Sequence, residues 1–182
     1  MKINIEVFVD ECPESPREWD NLGTMVSIHN RYDLGDPHTI NKEDFDSWDE
    51  IKDYIVNELG ARVILPLYLY DHSGLRIKTT PFGCKWDSGQ VGWIYATRKD
   101  IKDYLGVKYD TNKIIDNVVE QLNSEVTLYD QYLSGEQYGY NIEVNGEYLD
   151  SCGGYYHLDE LKNDMKLELN NFINDCSCED LE

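Results

Sequence analysis

The chain has 182 residues, 41% hydrophobic and 12% aromatic, and 36 Asp and Glu against 16 Lys and Arg give a formal charge of −20. A chain of this size buries roughly 70% of its unfolded surface, which excludes wholesale disorder. The charge excludes binding to nucleic acid or anionic lipid through a basic face and points to a basic macromolecular partner.

No run approaches the ~20 apolar residues of a bilayer span. Asn4 and Glu6 interrupt the N-terminal stretch where a signal peptide would be continuously apolar, so a cytoplasmic protein with no membrane partner is expected. The five cysteines, Cys12, Cys84, Cys152, Cys176 and Cys178, are odd in number and scattered, as reduced thiols would be. Cys176 and Cys178 are too close together for Cys-x-x-Cys metal spacing, and no metal or cofactor is expected.

Residues 3–9 alternate apolar and polar and predict a half-buried first strand. A proline-containing acidic loop follows, then a strand over 22–28 and a loop with Gly35 and Pro37. Ser47-Trp48-Asp49-Glu50 is a capping box that opens a helix, with Trp48, Ile51, Ile55 and Leu59 at helical spacing and Gly60 as its stop. Residues 62–70 form the next strand, with an edge or bulge required at Pro66, and residues 75–79 pair back on it. Residues 90–96 are a strand running directly into the cap Thr97-Arg98-Lys99-Asp100 of a short helix to Leu105. Ile115, Val119, Leu122, Val126, Tyr129 and Leu133 make one apolar stripe on a long helix over 112–133. Two strands, 138–144 and 147–151, flank the hairpin signal Asn145-Gly146. Leu158, Leu161, Met165, Leu169 and Phe172 mark a final amphipathic helix. The order lacks regular βαβ alternation. It predicts an α+β fold, mostly antiparallel, with about four helices in a single compact domain over 1–175 and an acidic tail over 176–182.

The charge is unevenly spread. Residues 61–99 hold Arg62, Arg76, Lys78, Lys85, Arg98 and Lys99 against Asp71 and Asp87, a net of +4, which leaves −24 on the rest. On the helix that begins near residue 47, Asp46, Asp49, Glu50 and Asp53 recur at helical spacing and line one face. Any one such face is ordinarily a solvated surface, but −20 exceeds the magnitude of ~2–8 that solubility requires. Halophilic adaptation fits poorly with eleven lysines and two alanines. An acidic surface that competes for a basic groove fits better, its carboxylates standing in for phosphates.

Catalytic patterns are sparse. His29 lies near Asp33, Asp36 and His38, but the spacing is no established ligand pattern. Cys84 sits in a glycine-bracketed loop beside Lys85, yet a thiol nucleophile also needs a positioned base. No nucleophile elbow, phosphate loop or dinucleotide fingerprint is present, so no catalytic residue is assigned and a non-enzymatic protein is expected. Trp86 and Trp93, separated by Asp87-Ser88-Gly89-Gln90-Val91-Gly92, belong either to a loop packed on the sheet or to a binding hot spot.

Trp19-Asp20-Asn21-Leu22-Gly23-Thr24-Met25, His29, Arg31-Tyr32-Asp33-Leu34-Gly35-Asp36 and Trp86-Asp87-Ser88-Gly89-Gln90-Val91-Gly92 together resemble small acidic proteins of phages and plasmids. In length and charge the chain is most similar to the type II-A anti-CRISPR proteins. The resemblance implies a non-enzymatic inhibitor in a host bacterial cell. Its partner would be the type II CRISPR effector nuclease with its guide RNA, whose nucleic acids lie in a positively charged channel. Asp46, Asp49, Glu50, Asp53, Trp86 and Trp93 are the candidate partner-binding residues, with no direct contact to nucleic acid. The alternatives are an ArdA-type antirestriction DNA mimic and a phage-encoded metal-dependent hydrolase built on His29 and nearby acids.

Overall fold

Among the described residues, seven strands in two antiparallel sheets and four α-helices follow one another in the order expected from sequence. Two 3-10 turns, Pro16–Glu18 and Lys42–Asp44, lie between them that the sequence reading does not predict. The computed structural model describes residues 1–109 and 111–179, the side chains of 175–179 excepted. Contacts gather the chain into two compact units, Ser15–Ser134 and Met1–Glu14 with Gly135–Glu182, where the sequence reading expects one domain over 1–175. Among the described residues, no helix is long and apolar enough to cross a membrane. The α+β class holds for the chain.

The unit Ser15–Ser134 is built on a four-stranded sheet in the order β2-β5-β3-β4. These strands are β2 Thr24–Ser27, β3 Ala61–Asp71, β4 Leu75–Lys78 and β5 Ser88–Thr97. Pro66 lies where β3 extends beyond the end of β4, next to an irregularity at Leu67/Tyr68, so the missing donor faces an edge and not a ladder. Helix α3, Asn112–Leu133, covers one face and packs Val118, Leu122 and Val126 on Met25, Leu67, Ile94 and Ala96. Helix α1, Trp48–Asn57, covers the other, with Ile51 and Ile55 on Val26, Trp93 and Tyr95. The short helix α2, Arg98–Leu105, opens on the Thr97–Asp100 capping box and ends at Gly106, whose φ of 63° suits glycine. The buried stripe of α3 differs from the expected one. Val118 is fully buried where Ile115 and Val119 are expected, Ile115, Val119 and Leu133 are only partly buried, and Glu125, 6% exposed, lies inside it.

The other unit is a three-stranded sheet, β1-β6-β7, with one helix. Strand β1, Ile3–Val9, pairs with β6, Tyr138–Val144, which pairs with β7, Glu147–Tyr155. The β6–β7 turn has φ of 55° at Asn145 and 90° at Gly146, the two positive values of a type I′ turn. Helix α4, Leu158–Glu179, packs Leu161, Met165 and Leu169 on Tyr140 and Ile142. Its backbone is helical into the stretch expected to be an acidic tail. Residues 180–182, and the side chains of Cys176 and Cys178, lie outside the described residues. The half-buried strand expected at 3–9 forms, but Ile3, Ile5, Val7 and Val9 are exposed, because α4 lies over β6 and β7.

Two phenols of this sheet bind carboxylates, one on β7 and one on α4. The Tyr140 hydroxyl donates to Asp150 Oδ2 at 2.7 Å, the Tyr155 hydroxyl donates to Asp164 Oδ2, and the rings lie 5.9 Å apart. Burial, and then the carboxylates that hold the hydroxyl protons, raise both phenols well above the usual tyrosine range. A phenol raised in the folded state contributes stability that is complete below its unfolded value of ~10 and is lost as pH rises above it. Amide protection in β6 and β7 should therefore fall as pH climbs past ~10. Tyr155→Phe should flatten that dependence, which hydrogen exchange followed against pH checks.

Candidate functional site

The acidic face of α1 is held in place by its cap and its core side. Ser47 Oγ accepts from the Glu50 N–H at 3.2 Å, and Glu50 Oε2 accepts from the Asp46 N–H at 2.8 Å. The return bond of the box thus closes on Asp46 and not on Ser47. With Ile51 and Ile55 fully buried below, the rotation of the helix is set, and Asp46, Asp49, Glu50 and Asp53 all face solvent. Asp49 and Asp53 stand one turn apart, ~6 Å along the axis. Glu43 and Asp44, on the short 3-10 turn Lys42–Asp44, are exposed just before them.

The two indoles singled out by sequence part company. Trp86 is 96% exposed, whereas Trp93 is 7% exposed in the core beside Ile51 and Ile55. Trp93 is therefore placed to support α1, not to meet a partner. A different indole, Trp48, lines a depression that adjoins the one lined by Trp86. A depression of about 410 Å³ is lined by Trp86, Asp87 and Asp71, and one of about 370 Å³ by Lys42 and Trp48. Both are also lined by His29, Arg31, Gln90 and Val91, so they form one groove from Trp86 to the first turn of α1. Within it, the Arg31 guanidinium is bound to the Asp71 carboxylate, His29 stacks on Tyr32 at 5.1 Å, and Lys42 Nζ sits 4.9 Å over the Trp48 ring. The result is an aromatic groove with internally paired cations, bordered at the α1 end by exposed carboxylates.

Two of the cations in the net-positive stretch 61–99 are paired with acids outside it. Arg76 is bound bidentately by Asp130, and Lys99 by Asp103 at 2.8 Å. The residues considered for a metal are also divided: Asp36 is bound to Arg17, and His38 Nε2 to the Ser27 carbonyl at 2.9 Å. Among the described residues, no three His, Cys, Asp or Glu side chains are grouped to hold a metal. The Cys84 thiol donates to Asp87 Oδ2 at 3.2 Å, and His72 lies 3.9 Å from the other oxygen of that carboxylate. A carboxylate thus stands where a thiol nucleophile would need an imidazole.

Sequence reasoning missed a buried ion cluster that holds the most distinctive strings together. The Arg17 side chain, 5% exposed, donates from Nε and Nη2 to both oxygens of Asp36 at 2.8 and 2.6 Å, and from Nη1 to Glu125 Oε2 at 3.2 Å. Glu125 in turn accepts from the Leu22 and Gly23 N–H groups, and Asp36 from the Met25 N–H at 2.7 Å. Burial alone would lower the Arg17 pKa, but the hydrogen bonds and charges of Asp36 and Glu125 outweigh it and raise the value. Two signals for this cluster were present in the sequence. Arg17 is the lone base among the acids of 10–20, and Glu125 falls on the buried side of the α3 stripe.

No family model, no curated protein and no solved structure matches this chain.

Proposed function

We propose that the protein is a non-enzymatic inhibitor of a type II RNA-guided nuclease, which it binds through the acidic face of α1 and the Trp86 groove. The observation that carries this reading is the set of ordered, solvent-facing carboxylates on a helix whose rotation is fixed by its core contacts. Ordered charges meet a basic channel without losing further conformational freedom, and their field speeds encounter. Trp86, almost wholly exposed beside the groove, supplies the apolar anchor that charge alone lacks. The bound inhibitor would occupy surface needed by target DNA and act stoichiometrically.

The test is a titration of the inhibitor into guide-loaded nuclease, with binding of a labelled target duplex as readout. One equivalent should abolish DNA binding, and the association rate should fall steeply between ~50 and ~500 mM salt. Changing Asp46, Asp49 and Asp53 together to Asn should weaken inhibition about tenfold, with Glu50 kept so that the cap survives. Trp86→Ala should remove about 2 kcal/mol of binding while leaving the unfolding midpoint unchanged. Undiminished DNA binding at excess inhibitor would reject the nuclease as partner. Inhibition by both variants equal to the parent would move the contact surface elsewhere.

A further inference from the structure

Strand β1 is the one strand among the described residues that ends a sheet without any device to protect its edge. It pairs with β6 in unbroken register from Ile3↔Val144 to Val9↔Tyr138, and it is terminal in the order β1-β6-β7. The Asn145 N–H donates to the Lys2 carbonyl, and the Asp10 N–H to the Gln137 carbonyl, so the even-numbered residues bond to β6. Antiparallel alternation then points the N–H and C=O groups of Ile3, Ile5, Val7 and Val9 outward, to the open edge. Their side chains share a face with their register partners on β6, where Tyr140 and Ile142 pack under α4, yet they remain 37, 42, 48 and 53% exposed.

The other sheet edges are blunted. The β7 ladder is broken twice, at Tyr138/Tyr140 and Ile142/Glu143, and the strand contains Gly153-Gly154. Strand β2 has four residues and a bridge from Val26 to Gly35 beside it, and β4 has four residues and carries Arg76 and Lys78. By contrast, β1 has seven residues, no proline or glycine, no bulge, and Glu6 as its one charge. A flat edge of that length with an apolar face is a template for another strand.

Charge decides the occupant. The face opposite α4 carries Asn4 and Glu6 beside their register partners Glu143 and Asn141. A second copy paired along the full length of β1 would set Glu6 against Glu6, and it would bring together two chains of −20 each. We infer that β1 is an acceptor edge for an extended segment of a basic protein in which apolar residues alternate with Lys or Arg. The apolar side chains of that segment extend the row Ile3, Ile5, Val7, Val9, and its cations lie beside Glu6 and Glu143. The site lies in the unit Met1–Glu14 with Gly135–Glu182, is built from none of the α1 or Trp86 residues, and does not rest on the nuclease as partner.

The test uses the full chain and a short probe peptide that alternates lysine with valine. Binding should slow amide exchange at Ile3, Ile5, Val7 and Val9 about tenfold or more, while the even-numbered amides, already bonded to β6, change little. Val7→Pro removes an outward N–H that makes no bond to β6, and it should weaken the peptide about tenfold with the fold retained. Glu6→Lys gives an independent check, because it should weaken the lysine peptide and favour a glutamate–valine counterpart. Equal binding to the parent and both variants, or no protection at the odd-numbered amides, would overturn the proposal. So would a concentration-dependent dimer in sedimentation that Val7→Pro abolishes, since it would make a second copy the occupant.

Discussion

Replacing Arg17 by Met should destabilise the unit Ser15–Ser134 by about 3–5 kcal/mol, because it leaves the buried Glu125 and the partly buried Asp36 carboxylates without a cation. Both acids are already committed to backbone N–H groups at Leu22, Gly23 and Met25, so they cannot turn out to solvent without breaking the entry to β2. The loss should appear as a lower urea midpoint with little change in slope. Combining Arg17→Met with Asp36→Asn and Glu125→Gln should recover much of it. The amide oxygens can still accept from the backbone, and the unpaired charge is gone. A single Arg17→Met variant as stable as the parent would mean that the cluster is solvated in solution and does not hold this unit together.

Gly92→Ala should be comparably severe, for a steric reason. A Cβ at Gly92 would lie 1.9 Å from the Val26 carbonyl oxygen and 3.0 Å from the Ser27 Cα, backbone atoms of the neighbouring strand β2 that no rotamer change can move. The β2–β5 ladder must separate there, which breaks the pairing Val26↔Trp93 and Ser27↔Gly92. A loss of ~3 kcal/mol or more is expected, above ordinary overpacking because the obstacle is main chain. Gly89→Ala, three residues earlier on the same strand, has open space around its Cβ and should be nearly neutral. Thermal melts of the two variants side by side separate this close approach from any general intolerance of alanine in β5.

Both predictions bear on the strings that carry the resemblance to anti-CRISPR proteins, Arg17 through its partners Gly23 and Asp36 and Gly92 directly. Leu22, Gly23, Met25, Asp36 and Gly92 are occupied with holding β2 against β5 and α3. The acids and the indole proposed to meet a partner lie either outside those strings, as on α1, or at their exposed margin, as does Trp86.

The sequence by itself determined the seven strands and four α-helices and their order, because each rests on local physics. The period of α3, the Ser47 and Thr97 caps, and the Asn145-Gly146 turn are all set within a few residues. It also determined the α1 acidic face, since helical spacing fixes which side the carboxylates share once Ile51 and Ile55 are inward. Three features were left to tertiary structure. Trp93 is in the core because β5 is central in its sheet and buried on both faces by α1 and α3, so strand alternation carries no inside–outside signal there. The Arg17–Asp36–Glu125 cluster joins charges 19 and 108 residues apart, and no local pattern reports such a meeting. The separate unit exists because β1 pairs with β6 across 139 residues at Asn4 and Glu143, a contact invisible to any window of sequence. Alternation in residues 3–9 specified a strand with an apolar face, but only the placement of α4 over β6 and β7 left that face uncovered.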